Sequence, residues 1–474
     1  MDKRESSHWQ HSIPGGMHPK DIWLFLHDTS MRFGDTPGDI VLGRALMRDP
    51  TNPYFQNLFM HRIYDKANRR LAAIGDSFYA YLPSPHSVSP IPPRKGIGVG
   101  FTSNRILAWI SEIAVNAHLG VFGPNGSGKT MFTMMLVLQL LFLGMRGSVV
   151  LVFDLKRTWR NLLTLPYPWL QNKVFVFSAD DFMHAFLEPP RGVPVNKWAN
   201  ISNHILAQSY KIVSAQRLLR EILQRLYDAM QPGRWPTLSE AEEAIRAFRP
   251  SHGTREAEYR ESVLWMLCDI RNHFGNALTN YRSSNFFEKM FTPPAIHVVE
   301  VGDLPPIHVS FLINTVIEWI TYFRDYNPLS KNFNVVIVIE DGTAVLDARN
   351  DLDAPGGVSL LSQAMVLSRE RLVSTISVGH RLTSMSQTVL SNTESRFACC
   401  LRGEDEVLVQ RFFGTTPEQT RALRTFKPGQ CLAYIPSFWN HPIPVFFPRL
   451  PLQSCDDDTA QAPAQLFLTG VHPQ

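Results

Sequence analysis

The sequence lacks several features that would assign it to a specialised class of protein. Its 474 residues carry 46 Lys and Arg against 42 Asp and Glu, which gives a net charge of only +4. This balance excludes a generally cationic nucleic-acid-binding surface but leaves room for a local basic patch. The five cysteines form an odd number without CxxC spacing. They exclude a zinc ribbon and a disulfide framework, and they favour a reducing cytoplasm.

Long apolar runs are also missing. The most apolar stretch, residues 131–143, is interrupted by Thr133 and Gln139, and it is shorter than the roughly 20 residues that a membrane span needs. The first residues, MDKRESSHWQHSIPGG, lack the apolar segment of a signal peptide. Hydrophobic residues make up 44% of the chain and charged residues 19%, which is typical of globular proteins. We therefore expect a cytoplasmic protein without membrane insertion.

The composition along the chain predicts four parts. Residues 1–95 show no sustained periodicity and end in LPSPHSVSPIPPRK, a linker by its proline content. We predict an N-terminal region of unknown role over 1–95, an α/β core over 96–190 and 295–450, and a helical insertion over 190–295. The polar residues 451–474 are predicted to form a loose C-terminal tail.

Short, continuous apolar runs occur in the predicted core and alternate with helical patterns. Such runs are typical of parallel strands that are covered on both faces. The order of strand, helix and strand predicts an α/β fold with a parallel sheet. The predicted strands are 118–122, 148–153, 173–177, 296–301, 334–339, 373–378 and 396–401.

A complete phosphate-binding motif follows the first of these strands. The eight residues that fit G-x-x-x-x-G-K-[ST] are Gly123, Pro124, Asn125, Gly126, Ser127, Gly128, Lys129 and Thr130. The glycines let the backbone amides point at phosphate oxygens, and the helix that follows adds its positive N-terminal end. Lys129 would reach the β- and γ-phosphates, and the Thr130 hydroxyl would bind Mg²⁺. The motif predicts ATP and Mg²⁺ as cofactors.

Two acids at the end of the strand predicted over 334–339 are the catalytic candidates. Glu340 would hold Mg²⁺, and Asp341 would polarise the attacking water. Their order, Glu before Asp, reverses the usual one, and the shorter Asp side chain suggests slow hydrolysis. The alternative is a pair of solvated acids at a strand end. Asp154, at the end of another strand, would order the site or the water shell of Mg²⁺, or else cap the local turn.

The segment after the acid pair contains a candidate sensor and a candidate arginine finger. His380 ends the strand predicted over 373–378 and could form a hydrogen bond with the γ-phosphate. Arg369, or alternatively Arg371, would supply positive charge to the nucleotide of a neighbouring subunit. The alternative for these arginines is a surface ion pair with Glu370 or Glu404.

Taken together, these motifs resemble the HerA/FtsK superfamily of P-loop motors, which includes conjugative coupling proteins and type IV secretion ATPases. The resemblance covers about 96–450. It rests on NAHLGVFGPNGSGKT (116–130), VFDLK (152–156), SRER (368–371), GH (379–380), LSNTESR (390–396) and FKPGQCLA (426–433).

The resemblance implies a RecA-like core, a homohexameric ring and ATP-driven translocation of DNA, gripped through its backbone without sequence specificity. Lys129 and Thr130 then bind phosphate and Mg²⁺, Glu340 and Asp341 take the metal and water roles, and Arg369 matches the residue that acts in trans. The family's sensor is usually Gln, whereas here it is His380. Because no membrane anchor is present, a nuclease or a secretion complex is a candidate partner that would position the motor.

Other readings of the same motifs stay open. The segments IEDGTAVLD (339–347) and GHRLTS (379–384) are similar to elements of ABC-type ATPases. However, an LSGGQ-like signature is missing between Lys129 and Glu340, and an ABC site cannot close without it. The motor could instead act on protein cargo, as type IV secretion ATPases are thought to. The chain could also be a nucleotide-gated switch with slow hydrolysis.

Overall fold

The computed structural model describes most of the chain from residue 96 onward. The described residues are 48, 96–101, 107–111, 118–142, 148–167, 170, 172–181, 184–231, 233–250, 254–279, 285–291, 294–327, 334–342, 345–354, 357–436, 439 and 442–469. The predicted N-terminal region and its proline-rich linker (1–95) therefore lie outside the described residues, apart from Arg48.

Eleven strands occur in the described residues. In chain order they are β1 (Gly96–Phe101), β2 (Leu107–Ser111), β3 (Leu119–Phe122), β4 (Ser148–Asp154), β5 (Val174–Ser178), β6 (Ala295–Glu300), β7 (Asn334–Ile339), β8 (Val373–Gly379), β9 (Ser395–Ala398), β10 (Gln430–Tyr434) and β11 (Ile443–Phe446).

Thirteen α-helices occur in the same residues. They are α1 (Lys129–Phe142), α2 (Val195–Ser209), α3 (Gln216–Ala229), α4 (Leu238–Ala247), α5 (Thr254–Thr279, interrupted at Gly275), α6 (Asn285–Met290), α7 (Pro306–Tyr326), α8 (Ala348–Asp353), α9 (Leu360–Ser368), α10 (Gln387–Asn392), α11 (Asp405–Phe413), α12 (Pro417–Leu423) and α13 (Asp457–Thr469). Short 3₁₀ turns cover Trp159–Thr164, Ala179–Asp181, Val213–Ala215 and Arg369–Arg371.

The chain divides into two compact units. The first unit consists of residues 1–148, 374–385 and 390–453, and the second of residues 149–373, 386–389 and 454–474. The phosphate loop and His380 belong to the first unit. Asp154, the acid pair and both candidate arginine fingers belong to the second.

The first unit is built around β3. Its strands follow the order β2-β1-β11-β10-β9-β3-β8, and β3 runs parallel to both of its neighbours, β8 and β9. Beyond β9 the neighbouring strands pair antiparallel. All four residues of β3 are buried, as expected for a parallel strand that is covered on both faces.

Helix α1 packs into this unit along nearly its whole length. The Phe132 ring lies 4.8 Å from that of Phe397 and 5.0 Å from that of Phe447, between ring centroids. Gln139, the polar interruption in the apolar run, is buried because its amide pairs with the backbone of β1. It accepts from Gly98 N at 2.8 Å and donates to Gly98 O at 2.7 Å. A buried amide bonded at both atoms avoids the cost of unpaired polar groups.

The second unit has the strand order β7-β4-β6-β5. Strand β6 is parallel to both β4 and β5, with Val149 opposite Ala295 and Val174 opposite Ile296. Every residue of β4, β6 and β7 is buried. Within the described part of 190–294 helices, turns and irregular segments occur, but no strand. These helices pack into the second unit, for example through Trp198 Nε1, which donates to Phe186 O at 3.1 Å.

The seven strands predicted in the core are confirmed, with ends that differ by at most three residues. The interpretation of residues 451–474 as loose is wrong for the described residues up to 469. Residues Asp457–Thr469 form α13, and the Phe467 ring lies 4.9 Å from the ring of Phe175. The backbone amide of Cys455 also donates to Asn161 Oδ1 at 2.9 Å. Ala460 and Ala464 of this helix are buried, so the helix packs within the second unit.

None of the described helices combines the length and apolar character that crossing a membrane would require.

Candidate nucleotide-binding site

The phosphate loop begins where β3 ends and is anchored to β8. Gly123 N donates to Gly379 O at 3.1 Å. A Cβ atom added to Gly123 would lie 2.2 Å from Cys399 O, and the φ of Gly123 is 156°. Only glycine allows the loop to leave the sheet at this point, because a side chain would overlap the backbone of the next strand.

The amine of Lys129 lies inside the loop. Its Nζ atom donates to Pro124 O at 3.0 Å and lies 3.3 Å from His380 Nδ1, and the residue is only 6% exposed. A lysine ammonium can only donate, so Nδ1 of His380 accepts and the ring proton is on Nε2. The structure thus brings together two of the predicted site residues from opposite ends of the core sequence.

The loop fits the phosphate groups of a nucleotide. Pro124, Asn125 and Gly126 are exposed, whereas β3 before them and most of α1 after them are buried. The φ angles of Gly126 and Gly128 are 75° and 96°, a conformation that turns successive amides toward one side. Helix α1 begins at Lys129, so its N-terminal amides face the same region. Thr130 is the second residue of α1 and is half-buried.

The acid pair follows β7 in the second unit. Glu340 is 2% exposed, and its Oε2 atom lies 3.4 Å from Trp159 Nε1. Asp341 has a φ of 50°, a left-handed conformation that is uncommon for a residue other than glycine. Its Oδ2 atom lies 2.5 Å from Lys156 Nζ. The two acids therefore differ in surroundings, since one carboxylate is buried beside an indole and the other is held in an ion pair.

Lys156 is the last residue of the motif VFDLK (152–156), and the sequence pattern predicts no role for it. It stands two residues after Asp154, so its contact with Asp341 depends on β4 and β7 ending at the same edge of the second unit. Proximity of two strand ends is a property of sheet order, which local sequence patterns do not reveal. The useful signal would have been the occurrence of a basic residue just after one strand and an acid just after another.

The carboxylate of Asp154 caps the turn that follows β4. Its Oδ1 atom accepts from Lys156 N at 2.9 Å, and its Oδ2 atom accepts from Trp159 N at 2.8 Å. Burial raises the pKa of Asp154 above its ordinary value, and these amide bonds oppose that shift. Asp154 was considered either to order the water shell of Mg²⁺ or to cap the local turn. Capping accounts for the hydrogen bonds of both carboxylate oxygens.

The two candidate arginine fingers lie in the turn Arg369–Arg371. The side chain of Arg369 is outside the described part of the structure. Arg371 binds Asp325 through both ends of its guanidinium, with Nε–Oδ1 at 2.7 Å and Nη2–Oδ2 at 2.8 Å. Arg371 is thus paired with Asp325, an acid that the sequence did not suggest. A bidentate pair holds the side chain strongly.

No protein-family model and no curated protein sequence matches this chain. Solved structures do. VirB4 of Thermoanaerobacter pseudethanolicus is 13% identical, with a TM-score of 0.57 over 75% of this chain and 97% of that one. The bacterial conjugative coupling protein TrwB, in its unbound form, is 11% identical, with a TM-score of 0.53 over 76% and 91%. TrwB in complex with the non-hydrolysable ATP analogue ADPNP gives the same values.

These likenesses concern the fold, because the sequence identities are low. They extend over about three quarters of this chain and over 97% and 91% of the solved VirB4 and TrwB chains. The chain therefore has the RecA-like P-loop NTPase fold of these proteins, as the predicted α/β class implied.

Proposed function

We propose that this protein is a Mg²⁺-dependent ATP hydrolase. The observation that carries the proposal is the position of the Lys129 amine, held within the loop by Pro124 O and His380 Nδ1. A buried ammonium beside a ring of backbone amides is a donor set suited to a triphosphate. TrwB has been solved with ADP and Mg²⁺, which supports the choice of nucleotide and metal for a protein of the same fold.

The residues of this chain would divide the work as follows. The loop amides and Lys129 would bind the phosphates, and the Thr130 hydroxyl and Glu340 would hold the metal. Asp341 would orient a water by accepting its proton, and His380 would donate its Nε2 proton to a phosphate oxygen. Bound ATP·Mg²⁺ would supply the reactive phosphoanhydride and the Lewis acid.

The proposed output of this activity is movement of DNA through a homohexameric ring. It is supported by the resemblance of the sequence motifs and by the shared fold with a conjugative coupling protein. In this proposal Arg369 reaches the nucleotide of the adjacent subunit, and DNA is gripped through its phosphates without sequence specificity. A nuclease or a secretion complex is the proposed partner class, and the cytoplasmic location stays a prediction.

A second candidate is a nucleotide-gated switch that hydrolyses ATP slowly. The ion pair between Lys156 and Asp341 favours it, because the ammonium occupies acceptor positions on the carboxylate that a water would need. A motor acting on protein cargo is a third candidate, favoured by the likeness to VirB4.

The test is ATP turnover of the purified full chain alone, with double-stranded DNA and with single-stranded DNA, beside Lys129→Ala. Turnover that rises several-fold with DNA and disappears in Lys129→Ala is the expected result. Turnover that ignores both forms of DNA would reject the DNA motor and favour protein cargo. Tight ATP binding with almost no turnover would favour the switch. Absence of nucleotide binding in a folded wild type would overturn the proposal altogether.

A further inference from the structure

Three side chains of the second unit form a cluster that the nucleotide chemistry does not use. Asp269 and His273 stand one turn apart on α5, and His308 stands near the start of α7. Each offers one ligand atom, and these atoms all lie within 4.8 Å of one another. Asp269 Oδ1 is 3.4 Å from His273 Nδ1, and Asp269 Oδ2 is 3.2 Å from His308 Nε2.

The buried ring of His308 has a nitrogen without a hydrogen-bond partner. His308 is fully buried, and its Nε2 atom forms no hydrogen bond of acceptable geometry despite its closeness to Asp269. An unsatisfied buried polar atom costs roughly 1–3 kcal/mol. A cation bound at Nε2 would remove this cost.

The Nδ1 atoms of His308 and His273 lie within hydrogen-bond distance of oxygen atoms outside the proposed ligand set. Nδ1 of His308 lies 2.7 Å from the hydroxyl of Tyr210, and Nδ1 of His273 lies 2.9 Å from the main-chain oxygen of Asp269. When each Nδ1–H donates to these oxygens, the lone pair of each ring is on Nε2. Ligand histidines are commonly oriented in this way by a carbonyl or another oxygen acceptor on the second nitrogen.

The spacing also suits a small divalent ion. Ligand atoms bound tetrahedrally at about 2.0–2.1 Å lie roughly 3.3–3.4 Å from one another, close to the 3.2 Å that separates Asp269 Oδ2 from His308 Nε2. Two imidazoles and one carboxylate are ligands that Zn²⁺ accepts readily. Asp269 and His273 are partly exposed, so the ion could enter from solvent and keep a water as its fourth ligand.

We propose that Asp269, His273 and His308 form a binding site for a first-row divalent transition metal, of which Zn²⁺ fits best. The ion would join α5, the longest helix of the predicted insertion, to the beginning of α7. Its role would be structural, since metal binding to the folded chain stabilises that state.

The test uses the full chain without nucleotide, freed of metal with a chelator and then titrated with Co²⁺ as a spectroscopic probe. We expect visible d–d absorption that saturates at one Co²⁺ per chain and is displaced by Zn²⁺. Asp269→Asn and His273→Gln should each weaken binding at least about tenfold. Both positions are partly exposed, so these variants are better suited to the test than a change at buried His308.

Two control variants locate the ion. Glu261→Gln, an exposed change on the same helix, and Thr130→Ala, at the phosphate loop, should leave the Co²⁺ titration unchanged. Zn²⁺ should also raise the melting temperature of the wild type but not that of Asp269→Asn. A folded wild type with no saturable absorption would overturn the proposal and leave Asp269, His273 and His308 as a cluster of polar side chains without a metal. Equal binding in wild type and Asp269→Asn would also overturn it.

Discussion

Lys129 and His380 are separated by 251 positions in the chain, yet Nζ of the lysine lies 3.3 Å from Nδ1 of the histidine. The contact links the phosphate loop to the end of β8. Because the lysine ammonium donates to Nδ1, the ring proton of His380 is on Nε2.

His380→Ala should lower ATP turnover about tenfold, the effect of losing one hydrogen bond to a charged group. Nucleotide affinity should change little, because the loop amides and Lys129 remain. His380→Gln should keep most of the turnover, since the amide can also accept and donate. Steady-state turnover and the Kd of a fluorescent ATP analogue would check both. Full activity of His380→Ala would remove the residue from the catalytic scheme.

Asp341→Asn should reduce turnover by a factor of about a hundred or more, because general bases contribute rates of that order. ATP should still bind. The matched control is Asp347→Asn, which alters the cap of α8, where Oδ1 accepts from Arg349 N at 2.8 Å. That control should change stability little, because asparagine caps a helix about as well as aspartate, and it should leave turnover nearly unchanged. If the two variants hydrolyse ATP equally well, Asp341 is not the base.

Gly123→Ala and Gly126→Ala should separate steric overlap from backbone strain. A Cβ at Gly123 meets Cys399 O at 2.2 Å, whereas a Cβ at Gly126 meets nothing within 4 Å. We expect Gly123→Ala to lower the free energy of unfolding by about 3 kcal/mol or more. Gly126→Ala should lower it by about 1 kcal/mol through its positive φ alone. Urea denaturation would measure both, and equal losses would contradict the close approach at Gly123.

Glu318 on α7 should make stability depend on pH. Burial raises the pKa of Glu318 from 4.5 to about 7, although the charge of Arg371 opposes the shift. The folded state therefore holds this proton more tightly than the unfolded state, so stability falls as pH rises from about 4.5 to about 7 and then levels off. Glu318→Gln should be more stable than the wild type by about 3 kcal/mol at pH 8, and equally stable near pH 4.

Unfolding by urea at these two pH values would measure the effect. Glu261→Gln, an exposed change on α5, serves as a control that should show the same difference at both. A constant difference between wild type and Glu318→Gln across the range would mean that the carboxyl ionises normally in the folded protein.

The parts of this fold that could be predicted are those encoded in a short stretch of chain. The apolar runs of β3, β4 and β7 and the motif ending in Lys129 and Thr130 need no distant partner to be identified. Strands β1 (GIGVGF) and β11 (IPVF) were not predicted, because glycine and proline have low strand propensity. These two strands pair with each other in the sheet, and this pairing stabilises them despite their composition. Helix α13 was missed because three acids and an internal proline outweighed the apolar positions 460, 464 and 467.

The site could be predicted only as a set of separate pieces. Asp154 was recognised as a polar strand end, but its bonds to the amides of Lys156 and Trp159 depend on the shape of the turn. The pairing of Asp341 with Lys156 and of Arg371 with Asp325 depends on which strand and helix ends are neighbours. The His–Asp–His cluster was not anticipated, because His308 is separated from α5 in the sequence and only the packing of α7 brings them together.

The position of β3 between β8 and β9 determines when during synthesis this strand can pair with its neighbours. Leu119 pairs with Ile376 on one side and with Ser395 on the other, so a ribosome must add more than two hundred further residues before either partner exists. Most of the second unit, residues 149–373, is complete by then. Pairings of such long range also slow folding in general. The phosphate loop, which follows β3, can therefore reach its final position only late in synthesis. The nucleotide binding that we propose would then require an almost complete chain.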